Sequence, residues 1–181
     1  MRFLILAFLP AVFVHTSNAE AAQTVYFVGE SIVTSVQDGS VTRNPYIVAR
    51  TTDSAAGTIV EVVVSKQGAA YAENTSTMKI SGNQLTMTVS TGAITGDGSL
   101  TGPAWNWTFL RAEFHMTTPA YSMRIVDYNF FAEPGSILGH KDFYLTSNVT
   151  PGEKFVQQED VVLHSVDQAT FAATRAKLLG H

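Results

Sequence analysis

The chain changes its pattern of apolar and polar positions once, near residue 22. Before that point an apolar run from Leu4 to Val14, broken only by Pro10, follows Met1-Arg2-Phe3 and leads into polar His15 to Asn18. A charged tip, an apolar middle and a polar exit are the order of a secretory signal. Ser17, Ala19 and Ala21 supply the small side chains that a signal peptidase accepts before its cut. We expect cleavage after Ala19 or Ala21, so that residues 1–21 are a signal peptide and residues 22–181 a single domain of roughly 160 residues. The run spans about 11 residues against roughly 20 needed to cross a bilayer, so it is not read as an anchor.

After residue 22, β-branched and aromatic residues alternate with polar ones, and turn signals recur at hairpin spacing. The punctuation is Asp38-Gly39, Gly57, Gly68, Gly82-Asn83, Gly92, Asp97-Gly98, Gly102-Pro103, Pro134-Gly135 and Pro151-Gly152. It predicts strands over 24–36, 44–52, 58–66, 70–81, 84–91, 93–101, 104–117, 120–132, 136–147 and 154–165. Eight to ten short-looped antiparallel strands must stack or close, because an open sheet leaves unpaired edges. The expected fold is therefore mainly β, a single antiparallel meander barrel, with a short C-terminal helix as an option. Asp167 can cap that helix, Phe171, Thr174, Leu178 and Leu179 share one face, and Gly180 can stop it. Asp167-Gln168 serves equally as the turn of a last hairpin.

Successive strand residues face opposite ways, which sorts the longest strand into two sets. Asn106, Thr108, Leu110, Ala112, Phe114 and Met116 form one, a face of ordinary packing. Trp105, Trp107, Phe109, Arg111, Glu113 and His115 form the other, mixing aromatics with three ionisable groups. In the next strand Arg124, Val126, Tyr128 and Phe130 share a side, opposite Met123, Ile125, Asp127, Asn129 and Phe131. An apolar wall carrying a few polar groups is how small-molecule pockets are composed. That makes Trp105, Trp107, Phe109, Arg111, Glu113, His115, Arg124 and Tyr128 the candidate ligand-binding set, if their side turns inward. An outward face with solvated charges fits the same pattern, and parity alone does not distinguish the two.

Composition narrows the partners. Formal net charge is −4 and charged residues make up 14% of the chain, with no Lys/Arg cluster, which argues against nucleic acid and anionic lipid as partners. With no cysteine in the chain there are no disulfides, no lipidated N-terminal cysteine and no cysteine nucleophile; in an exported chain this leans towards a bacterial source. The expected location is secreted or periplasmic, with no integral membrane span once the signal is removed. An outer-membrane barrel is disfavoured, since Arg111, Glu113, Arg124 and Asp127 would interrupt a lipid-facing band. Asn74, Asn106 and Asn148 stand in N-x-Ser/Thr sequons, which a eukaryotic secretory pathway could glycosylate.

Gly98, Gly102, the Trp105-Asn106-Trp107 strand and the run Ser165 to Phe171 resemble the closing half of secreted lipocalin-like barrels of the calycin type. The Gly-x-Trp that lipocalins carry on their first strand is missing from Tyr26 to Gly29. The resemblance implies a central cavity for a small apolar or amphipathic molecule, and it implies no catalytic residue.

Candidate chemistry is sparse. His115, His140, His164 and His181 show no zinc-binding spacing, and there is no Gly-x-Ser-x-Gly elbow or P-loop, so no catalytic residue, metal or cofactor is assigned. Glu113 and His115 share a face and could form an acid/base or metal-ligand pair. Three readings stay open: a non-catalytic binder of a small molecule, an envelope interaction protein or homo-oligomer with a filled barrel, and an isomerase- or cyclase-like barrel enzyme using Glu113, His115 or Asp127.

Overall fold

The structure, a computed structural model, describes residues 22–90, 95–101, 109–117, 121–130, 135–147 and 152–180. Those residues form ten strands and one helix. They are β1 (Gln23–Ser35), β2 (Val41–Asp53), β3 (Thr58–Gln67), β4 (Ala70–Ser81), β5 (Gln84–Val89), β6 (Thr95–Thr101), β7 (Phe109–Thr117), β8 (Tyr121–Phe130), β9 (Ser136–Ser147), β10 (Lys154–Val166) and α1 (Gln168–Leu179). Each strand pairs antiparallel with the next, and β10 returns to β1 from Tyr26–Val166 to Ser35–Gln157, closing the barrel. Closure satisfies the backbone groups that an open meander would leave bare at its two edges.

Two glycines sit where neighbouring strand backbones come too close for a side chain. A Cβ on Gly29 of β1 would lie 1.9 Å from the Val162 carbonyl oxygen, and one on Gly98 of β6 1.7 Å from that of Glu113. No other residue fits so close a backbone approach, which is one of the reasons glycine stands inside a strand. β1 and β6 stand five strands apart in a ring of ten, so the two glycines lie on opposite sides of the barrel.

The apolar interior gathers in two clusters. Phe27, Val48, Ile137, Val161 and Leu163 pack near β1, with Tyr46 and Val63 against them. Leu85, Ala112 and Phe114 pack near β6, joined by Met78, Ile80, Met87 and Ile125. A third cluster lies outside the barrel, where Phe171 of α1 covers Ile47 and Val64, with Tyr26, Val28 and Ala49 beside them. Covering outward-facing apolar positions on β1 to β3 is what makes α1 worth forming.

The helix, not the hairpin, is the fate of the tail. The Asp167 carboxylate accepts a hydrogen bond from the Thr170 amide at 2.7 Å, and Gly180 ends the helix in the left-handed region at φ 78°. Arg175 reaches back to both carboxylate oxygens of Glu73 on β4. Among the described residues no helix is long and apolar enough to cross a membrane.

Candidate functional site: a charged layer inside the barrel

Alternation fixes which side chains enter the barrel. On β7, Ala112, Phe114 and Met116 line the interior, so Arg111, Glu113 and His115 point out. The contact with a ligand inside the barrel expected of Arg111, Glu113, His115 and Arg124 is thereby corrected. These four form an outer network instead. Arg111 Nη2 donates to Glu113 at 2.9 Å, His115 stands 3.5 Å from the same carboxylate, and Arg124 Nη1 3.8 Å from it. Arg124 also grips both oxygens of Glu153 and stacks 4.0 Å over the Tyr144 ring. Water reaches this face, and the His115 side chain is 57% exposed. Burial decides the matter: Ala112 and Phe114 supply apolar area to the core, whereas the trio would have brought three charges. Trp105 and Trp107 lie outside the described residues, as do the side chains of Phe109 and Tyr128.

The interior carries a different set of charges. β2 points Tyr46 and Arg50 inward, β3 Glu61, β8 Asp127, and β9 Lys141. Glu159 of β10 shares the register level of Lys141 and turns the same way. Arg50 holds Glu61 through Nε and Nη2, both at 2.6 Å. Glu159 accepts from Ser31 Oγ at 2.5 Å and from Lys141 Nζ at 3.4 Å. Lys141 Nζ also lies 5.5 Å from the centroid of the Tyr46 ring, which links β9 to β2.

These charges flank a cavity of about 260 Å³. Most of its wall is apolar, with Val48, Ile59 and Val63 on one side and Met78, Leu85, Met87, Phe114 and Met116 towards the other. Ser76, opposite Glu61 in register, adds a hydroxyl. Space among charged groups inside a barrel is unusual, because each buried ion costs several kcal/mol of desolvation. Burial, relieved in part by Lys141, pushes the Asp127 carboxyl up to about 6. It also pushes the Tyr46 phenol up. Burial alone would lower Lys141, but Tyr46 and the carboxylates of Glu159, Asp127 and Glu61 outweigh it and hold the ammonium well above its ordinary value. Lys141 stays charged in the hollow, while Asp127 titrates near neutrality.

The acid/base pair considered for Glu113 and His115 is outside and Asp127 inside, so the three do not converge. Asn74 shares the inward parity of Ser76 and Met78 on β4, which is no place for a glycan; Asn106 and Asn148 lie outside the described residues. On the outer wall His140 sits between Asp160 at 2.7 Å and Asp142 at 3.1 Å, and the hydrogen bond to Asp160 leads in raising its pKa. Among the described residues no group of three or more His, Asp or Glu is arranged to hold a metal ion.

No protein-family model and no curated protein matches this chain. Among solved structures it is similar to the crystal structure of the ywiB protein from Bacillus subtilis, at 9% identity and a TM-score of 0.36, over 84% of this chain and 99% of that one. At that TM-score the likeness carries no argument about fold or function.

Proposed function

We propose that this protein binds a small amphipathic molecule inside its barrel without transforming it. The observation that carries the reading is a hollow of about 260 Å³ whose wall is mostly apolar and whose polar groups are concentrated in one layer, Arg50, Glu61, Asp127 and Lys141. Apolar walls supply affinity by burial and a few fixed polar groups set orientation. A solidly filled barrel, as an interaction protein would have, leaves no such space. The implied lipocalin-like character supports the same reading, since it calls for a central ligand cavity. The export signal read in residues 1–21 supports an extracytoplasmic setting, secreted or periplasmic.

The test is calorimetric titration of the full chain with 1-octanol, beside a Ser76→Phe variant that fills the hollow. Saturable binding that Ser76→Phe removes, with the thermal midpoint kept, is the expected result. Binding that survives the filled variant places the molecule elsewhere and overturns the reading.

A further inference from the structure

Among the described residues the interior charges do not balance, and the imbalance selects a ligand. Arg50 and Lys141 bring two positive charges. Glu61, Asp127 and Glu159 bring three negative ones when ionised. Both cations already hold carboxylates, Arg50 that of Glu61 and Lys141 that of Glu159. An incoming anion would have to displace one of those carboxylates and would deepen the excess negative charge in a poorly solvated space. A cation would cancel it.

We infer that the hollow takes a small amphipathic amine, its ammonium seated at Asp127 and its hydrocarbon portion against the wall of Met78, Met87 and Phe114. This rests on the reading that the hollow is a binding site. An ammonium has three donors, and Asp127, Glu61 and Ser76 present acceptors to the same space. The thioethers of Met78 and Met87 are soft and adaptable, which suits an alkyl chain of no fixed shape, and the Phe114 ring offers a face that tolerates positive charge nearby. Size limits the class. A hollow of about 260 Å³ lies at the lower end of ligand-pocket volumes, so the molecule is small.

The site is also built to let such a ligand go in acid. Facing Asp127 are Lys141 from β9, Tyr46 and Arg50 from β2, Glu61 from β3 and Glu159 from β10. When Asp127 takes up a proton the excess negative charge vanishes and the attraction for an ammonium goes with it. An alkylammonium, which titrates near the lysine value, keeps its own charge throughout.

The experiment compares n-octylamine, 1-octanol and octanoate, nearly matched in size, by calorimetry on the full chain at about pH 7.5 and about pH 5. The amine is expected to bind at least about tenfold more tightly than the alcohol at the higher pH, and the carboxylate most weakly. Asp127→Asn, or the lower pH, should weaken the amine until it and the alcohol bind within about threefold of each other. An amine that binds no better than the alcohol, or that ignores Asp127→Asn, overturns the amine assignment and leaves the binding site standing. If none of the three binds, the site itself is refuted along with it.

Discussion

Asp127 and Lys141 stand directly opposite one another on the β8–β9 ladder, and both turn into the barrel. The pairing puts a carboxylate of raised pKa next to an ammonium that stays charged, inside a wall otherwise made of aliphatic and aromatic groups. Neither residue improves packing there. Groups held at such cost belong to a site more often than to a scaffold.

The cost can be measured through pH. Asp127 has a folded pKa of about 6, above its ordinary value of 3.8. Between those values the native state keeps a proton that the unfolded chain has released, so stability falls as pH rises through about 4 to 6. Asp127→Asn should remove that fall. Urea unfolding should show the variant equal to the parent near pH 4 and more stable above pH 7, by at most about 3 kcal/mol.

Arg50 and Glu61 form the other half of the interior layer, and a buried ion pair is costly to break and cheap to replace. Glu61→Ala takes from the guanidinium the carboxylate that both Nε and Nη2 hold and should destabilise by roughly 3 kcal/mol, whereas Arg50→Met with Glu61→Leu should recover most of the loss. Denaturant midpoints of the two single variants and the double variant test this. A double variant as unstable as Glu61→Ala would mean that the pair is essential to the fold.

Closure of the barrel depends on two positions without side chains. Gly98→Ala would drive a methyl into the Glu113 carbonyl, and Gly29→Ala into that of Val162. Each should lower stability by roughly 3 kcal/mol or more, because the obstacle is backbone. Thermal melting checks it, with Ser99→Ala on the same strand as an expected near-neutral control.

The outer ion network should matter little. Ion pairs that water reaches contribute about 0 to 1 kcal/mol, so Glu113→Ala, at a half-buried position on the outer face, should change stability by about 1 kcal/mol and leave binding of 1-octanol unaltered. A loss of binding in Glu113→Ala would return that face to the site.

Much of the architecture was legible because turns and alternation are local. Asp38-Gly39, Gly57, Gly68 and Gly82-Asn83 delimit the hairpins, and Asp167 and Gly180 bracket α1 as their chemistry demands. The site was less legible. Alternation divides β7 into two faces but does not say which one water sees, and the face richer in ionisable groups matches a ligand-lined wall as well as a solvated one. The better clue was uniformity: Ala112, Phe114 and Met116 contain no polar atom that needs water. Arg50 between Val48 and Thr52, and Glu61 between Ile59 and Val63, belong to no motif or local pattern that marks them as interior. Only closure of the ring sets them opposite Asp127 and Lys141, and no local pattern encodes what stands on the far wall.

The seam between β1 and β10 has a consequence for how the chain reaches this form. The first strand made must wait for the last, so the ring locks only when nearly the whole chain is available, and assembly dominated by such distant pairings is slow. Until then both borders of the sheet invite association with other chains. The helix that follows β10 at once folds back over β1, where Phe171 meets Tyr26, and works as a latch that fastens the join as soon as it is made.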